Sequence, residues 1–170
     1  MKKILFVAAV ALAAVSLHAE ADGYIILSAC SPGELPGPSS AIHGGRLSLI
    51  YGECRELYGL DISVSGYVRE RMYGAQFGLV LNYLEIGAGA QWGFANFVEH
   101  EFYGYQTGAW NHSGAGYGHQ LGVVNTAGYF SGFQLGLLNF ADDLDGVQIG
   151  LVNVVRNQAL SVLPFINIGW

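Results

Sequence analysis

A short repeat, Gly-x-Gln-x-Gly-x-x-Asn, recurs at near-constant spacing through this 170-residue chain and constrains its fold more than any other feature. Successive glutamines stand 15, 15, 14, 14 and 14 residues apart. A period this regular is typical of chains that build a fold from one small unit used many times. The repeat positions are Gln76, Gln91, Gln106, Gln120, Gln134 and Gln148, with Asn96, Asn111, Asn125, Asn139 and Asn153. The copy at 74–82 has one extra residue before its Asn, and degenerate copies begin at Gly45 and Gly59.

The alternation inside each copy predicts a β-strand. Phe133, Leu135 and Leu137 fall on one face of an extended segment, and Gln134 falls with glycines on the other. A helix would scatter these two sets and would lose about 1 kcal/mol for each interior glycine. We therefore predict an all-β fold of about ten short strands, at 24–30, 45–51, 59–66, 74–82, 89–97, 104–111, 118–125, 132–140, 146–153 and 162–169.

The favoured arrangement of these strands is an antiparallel meander closed into a barrel. Strands of this length, an even strand number and charge confined to the turns are typical of bacterial outer-membrane barrels. Closure would also remove exposed sheet edges. The chain ends on an alternating strand with a terminal aromatic, Trp170, and alignment by asparagine puts Asn167 in phase with Asn153.

The alternative arrangement is a β-solenoid with coils of 14–15 residues. In that fold the repeated Gln and Asn side chains would form hydrogen-bonded ladders along the stack. Each unit contains one clear strand and one turn, which is little for a complete coil. The sequence therefore favours the barrel and leaves the solenoid open.

The N-terminal segment predicts export. Lys2 and Lys3 precede an apolar run at 4–17, and Ala19-Glu20-Ala21 follows as a small-x-small cleavage pattern. We predict a signal peptide at 1–21, an initial strand and Pro-rich connection at 22–44, and a repeat β domain at 45–170. A less favoured interpretation is a lipoprotein acylated at Cys30, which follows Leu27-Ser28-Ala29.

Charge and composition exclude one class of partner. After cleavage at Ala21 the chain would keep five arginines and twelve acidic residues, 5 − 12 = −7. Nucleic-acid binding needs a basic patch, so no nucleic-acid partner is expected. Abundant glycine and aromatic residues with few charges suit an outer-membrane or cell-surface protein.

No group of residues predicts catalysis, and no metal or cofactor site is expected. The acidic stretches at 99–101 and 142–145 lack the spacing of metal-binding loops and are interpreted as solvated turns. No nucleophile stands in a Gly-x-Ser-x-Gly elbow and no phosphate loop is present. We therefore predict that the chain is not an enzyme. In the meander, Cys30 and Cys54 would lie too far apart for a disulfide, so two free thiols are predicted.

The chain also resembles a known family. The segments at 45–52 and 58–62, followed by the Gly-x-Gln-x-Gly-Leu-x-Asn copies, are similar to the LA-2272-like bacterial surface-repeat proteins over residues 24–170. The resemblance implies an exported, surface-associated protein and carries no activity. Ser63-Val64-Ser65 departs from the Gly-Leu-Val-Asn of that family.

The sequence leads to two functional hypotheses. The first is an exported outer-membrane or surface β-barrel with a structural role and the outer membrane as its partner. The second is a secreted or surface-attached β-repeat scaffold that binds a protein or glycan through a flat face rich in Gln and Asn.

Overall fold

The computed structural model describes the backbone of residues 25–30 and the whole of residues 41–170. The described chain forms one open all-β sheet of four strands in sequence order. The strands are β1 (Ile25–Cys30), β2 (Ala41–Leu135), β3 (Leu138–Val155) and β4 (Val162–Gly169). The predicted signal peptide at 1–21 lies outside the described residues, as does most of the Pro-rich connection. No helix in the described ranges is long and apolar enough to cross a membrane.

Neighbouring repeats pair in parallel, each lying on the repeat before it. Strand β2 pairs with β3 in a register that joins Val124 to Leu138 and continues to Leu135 and Ile149, an offset of 14 residues throughout. Backbone hydrogen bonds of 3.0 Å across the breaks in the strand keep the same offset, for example from Leu137 N–H to Val123 C=O. A strand 95 residues long is possible only because the chain coils and pairs with its own earlier turns.

This pairing corrects the predicted antiparallel meander of ten short strands. The stretches interpreted as turns also pair with their neighbours, as the partners Tyr129 and Asp143 and the partners Ser131 and Asp145 show. Strand hydrogen bonding therefore continues through them, and β2 remains one element. The sheet is also open rather than closed. Parallel stacking keeps equivalent residues in one column, whereas antiparallel pairing would reverse alternate copies and separate their glutamines.

A column of glycines forms the sharp corner of each repeat. Eight glycines spaced by 14 or 15 residues have positive φ angles between 119° and 149°, the left-handed side that only glycine adopts readily. At Gly132, a Cβ atom would stand 2.1 Å from the carbonyl oxygen of Gly118. These glycines are Gly44, Gly59, Gly74, Gly89, Gly104, Gly118, Gly132 and Gly146. The first glycine of the repeat is thus required both by its backbone conformation and by the closeness of the preceding coil.

The interior combines apolar clusters with buried amides. The first cluster lies in the N-terminal coils and includes Leu57, Met72 and Leu84. The second lies in the C-terminal coils around Phe130, whose ring occupies the space that a Cβ at Gly116 would need, 2.7 Å away. At this position a large ring in one coil faces a glycine in the adjacent coil, which leaves room for the ring in the interior.

Strand β4 differs from the repeats because it pairs antiparallel with β3. Its register joins Gln148 to Asn167 and Gly146 to Gly169. The alignment of Asn167 with Asn153 is therefore wrong: the reversed strand direction brings Asn167 onto the glutamine column. Trp170 follows the end of β4 and is 97% exposed. The reversed strand lies over the last repeat and caps the stack.

Candidate functional site

The repeated glutamines form a continuous ladder inside the protein. All six are at most 1% exposed. Each Nε2 donates to Oε1 of the glutamine one repeat earlier, at 3.0, 3.0, 2.7, 2.6 and 2.7 Å from Gln91 to Gln148. Amides can form such a ladder because each carries both a donor and an acceptor. The buried glutamines thereby satisfy one another's donors and acceptors from each coil to the next.

A second ladder of asparagines runs beside the first with the opposite polarity. Each Nδ2 donates to Oδ1 of the asparagine one repeat later, at 2.7–2.9 Å. The same nitrogen also donates to a backbone carbonyl, such as that of Leu121 from Asn111 at 2.9 Å. Asn82, which follows one extra residue in its repeat and was not among the predicted ladder positions, also belongs to this ladder.

The glutamine ladder ends at the N-terminal side in a buried ion pair. Arg46 and Asp61 occupy the glutamine position of the two degenerate repeats and are 3% and 0% exposed. Arg46 donates from Nε to Asp61 Oδ1 at 2.8 Å and from Nη2 to Oδ2 at 2.7 Å. Gln76 Nε2 lies 3.4 Å from the same Oδ2. The sequence analysis did not predict this pair. The 15-residue spacing of Arg46, Asp61 and Gln76 nevertheless equals the repeat period and indicates that the three residues occupy the same position in successive coils.

Charge and burial act in opposite directions on Arg46. Burial alone lowers the pKa of its guanidinium, but the hydrogen bonds and negative charge of Asp61 outweigh this and raise the pKa. Arg46 therefore stays protonated, and the pair replaces the amide-to-amide bond with a charge-assisted one. Cys54 lies beside this pair as a free, buried thiol, and burial raises its pKa to about 11. The side chain of Cys30 is outside the described residues.

Burial of the amides excludes the flat Gln- and Asn-rich contact face that the scaffold hypothesis assumed. A partner cannot contact a flat Gln- and Asn-rich face, because these side chains are at most 1% exposed. The assignment of the Gln and Asn side chains to an outer face was wrong because alternation separates residues into two faces without saying which one points inward. A scaffold role through another face stays a prediction.

The outward side of the same segments forms a different surface, which we name the apolar face. The segments that build this face contain only two charged residues, Arg46 and Asp61, and both point inward and are buried. Leu79, Phe94 and Leu151 on this face are 73%, 66% and 58% exposed. The face is built by residues 45–50, 60–65, 75–80, 90–95, 105–110, 119–124, 133–138 and 147–152.

The remaining charges all lie on the other side of the coil. Within residues 41–170, every Asp, Glu and Arg except Arg46, Asp61 and Arg156 falls between the asparagine position and the next corner glycine, and Arg156 follows the last repeat asparagine, Asn153. Arg156 and Asp142 pair there at 2.7 Å, and Arg69 pairs with Glu53. The acidic stretches at 99–101 and 142–145 lie in this region, and no group of potential metal ligands is found in the described part of the chain. The surface is therefore divided into one apolar and one charged side.

Comparisons with known protein families, with curated proteins and with solved structures find no match to this chain.

Proposed function

We propose that this chain is an exported structural protein of the bacterial cell envelope, a β-solenoid that lies with its apolar face on a membrane. The observation that carries the proposal is the division of the surface. Charged side chains are excluded from one side of eight successive repeats and gathered on the other. A structure that is apolar on one side and charged on the other suits the plane of a membrane interface.

The size of the apolar face supports this proposal. Eight coils span roughly 34 Å and six residues roughly 17 Å, from ~4.8 Å between paired strands and ~3.3 Å per residue. The product, about 600 Å², reaches the top of the range for the largest apolar patch on a soluble monomer. Trp92, Tyr105 and Trp110 lie on this face, and Trp and Tyr concentrate at membrane–water interfaces.

The predicted signal peptide agrees with an envelope location, and the resemblance to surface-repeat proteins points the same way. A closed outer-membrane barrel is the second candidate. It is less favoured because the parallel register of β2 and β3 differs from the antiparallel pairing of bacterial barrels.

Cell fractionation tests the proposed location and separates the two candidates. The solenoid is expected in the envelope fraction and to run identically on gels whether boiled or unboiled. A band that shifts on boiling would instead favour the closed barrel. Recovery of the whole protein in the soluble periplasm would reject both.

The role of the apolar face can be tested with vesicles of phosphatidylethanolamine and phosphatidylglycerol. We expect Leu79→Glu/Leu137→Glu to weaken co-flotation by roughly tenfold or more, since burying one leucine is worth ~1.5–3 kcal/mol. The control Ile86→Glu/Ala115→Glu adds the same two charges to the charged side and should float like the parent. Equal loss in both variants would show that net charge, rather than the apolar face, governs binding.

A further inference from the structure

A column of aromatic side chains runs along the corner of the coils, outside both ladders. It is formed by the residue immediately before each corner glycine. Because each of these glycines lies on the carbonyl of the one before it, the preceding residues are also superposed. We name this set the aromatic column; from the N-terminal side it reads His43, Tyr58, Tyr73, Ala88, Tyr103, Tyr117, Ser131 and Asp145.

Adjacent rings of the aromatic column stack in parallel. The centroids of His43 and Tyr58 are 4.7 Å apart with an interplanar angle of 4°, and Tyr58 and Tyr73 follow at 5.6 Å and 14°. Beyond the interruption, Tyr103 and Tyr117 stack at 4.4 Å and 5°. The rings thus lie across the stacking direction, each covering the next.

Ala88 interrupts this column and leaves a gap between two aromatic faces. Tyr73 and Tyr103 are two coils apart, which separates their rings by about 9.6 Å at ~4.8 Å per coil. Both rings are half exposed, at 53% and 47%. Ala88 contributes only a methyl group, so no ring of the column stands between Tyr73 and Tyr103; we call this gap the slot.

Charged groups stand beside the slot. Glu101 lies two residues before Tyr103 and accepts a hydrogen bond from its hydroxyl at 3.4 Å. Glu56 has the same relation to Tyr58, at 3.2 Å. Arg71 occupies the equivalent position before Tyr73 and is exposed. Arg71 and Glu101 thus hold equivalent positions on the coils on either side of Ala88.

We propose that this slot binds one ring of a neutral saccharide between Tyr73 and Tyr103. Sugar C–H groups are electron-poor and suit the electron-rich faces of the two tyrosines. Hydroxyl groups at the ring edge can accept from Arg71 and donate to Glu101. A flat aromatic ring touching both tyrosines needs only ~7–8 Å, since each contact takes ~3.5–4.0 Å. A puckered sugar ring is thicker and fills the wider gap better.

The test uses the mature chain with ¹³C-labelled tyrosine rings, titrated with cellotetraose and with maltotetraose at millimolar concentration. The ring signals of Tyr73 and Tyr103 should shift, and those of Tyr58 should not. Ala88→Tyr completes the column and should weaken binding by roughly tenfold or more, the effect of losing a well-packed contact. Ser131→Tyr adds a tyrosine to the same column away from the slot and should bind like the parent.

Circular dichroism of both variants checks that they fold. Because Ala88→Tyr adds a ring between two others, it is expected to keep the parent spectrum. Unchanged affinity in folded Ala88→Tyr would overturn the proposal. So would ring shifts confined to other tyrosines, or no response of the parent to either sugar. These outcomes do not depend on membrane binding, which involves a different side of the coil.

Discussion

Replacing Asp61 with glutamine is expected to destabilise the protein by about 3–5 kcal/mol, the usual cost of removing one partner from a buried ion pair. The substitution keeps a hydrogen-bonding side chain at the ladder position but removes the negative charge. Arg46 then remains 3% exposed with no compensating carboxylate. Equilibrium unfolding in urea, followed by circular dichroism, measures the change.

The double variant Arg46→Gln/Asp61→Gln is expected to recover most of this loss. Glutamine at both positions extends the ladder by two rungs beyond Gln76 and leaves no charge in the ladder. Substitutions at independent sites change the stability additively. A second substitution that restores the stability therefore shows that the two positions interact. If the double variant were as unstable as Asp61→Gln, the two positions would not belong to the ladder.

Gln120→Leu is expected to lower the free energy of unfolding by about 2–6 kcal/mol, because it strands two buried amide groups of the ladder that each cost ~1–3 kcal/mol. The buried Ser113 hydroxyl also loses its 3.2 Å hydrogen bond from Gln120 Nε2. Gln106 Oε1 loses its donor, and Gln134 Nε2 loses its acceptor. Leucine has a similar size, so the effect reports lost hydrogen bonds more than lost packing. The same urea titration measures it.

Gln148→Leu is the matched control at the end of the ladder. In the ladder it strands Gln134 Oε1 alone, since Gln148 Oε1 has no hydrogen-bond partner of its own, and outside the ladder it removes a 3.5 Å hydrogen bond to the Val154 carbonyl. Its cost should be about half that of Gln120→Leu or less, by the same ~1–3 kcal/mol per stranded group. An equal loss of unfolding free energy in the two variants would mean that the number of stranded ladder groups does not determine the loss.

The sequence was sufficient to predict an all-β chain with a repeated strand, because alternation within each copy depends only on local chemistry. It could not decide the direction of pairing. Phe133, Leu135 and Leu137 alternate in the same way whether the next strand is parallel or antiparallel. The charged stretch at 142–145 was assigned to a turn because it is polar, yet it pairs with the preceding coil. Polarity indicates exposure and does not exclude strand hydrogen bonds.

The ladders were predicted only as part of the alternative fold, and their ends were missed for a chemical reason. Arg46 and Asp61 do not resemble glutamine, and only the stacking brings them into hydrogen-bonding distance. Asn167 was aligned by residue type, but the reversed direction of β4 pairs it with Gln148. The slot at Ala88 was also not predicted, because it arises where one coil has alanine at a position that is tyrosine in the neighbouring coils.

Disulfide cross-linking tests the central claim, parallel stacking of the coils, most directly. In a Cys30→Ser background, cysteines are placed at Tyr105 and His119, whose rings stack at 4.9 Å, or at Tyr105 and Val124. In the parallel stack the first pair lies ~4.8 Å apart, while the second is offset by about five residues, or ~17 Å along the strand. An antiparallel meander instead places Tyr105 opposite Val124. The solenoid predicts rapid oxidation of the Tyr105→Cys/His119→Cys variant alone, and a bridge forming only in Tyr105→Cys/Val124→Cys would contradict it.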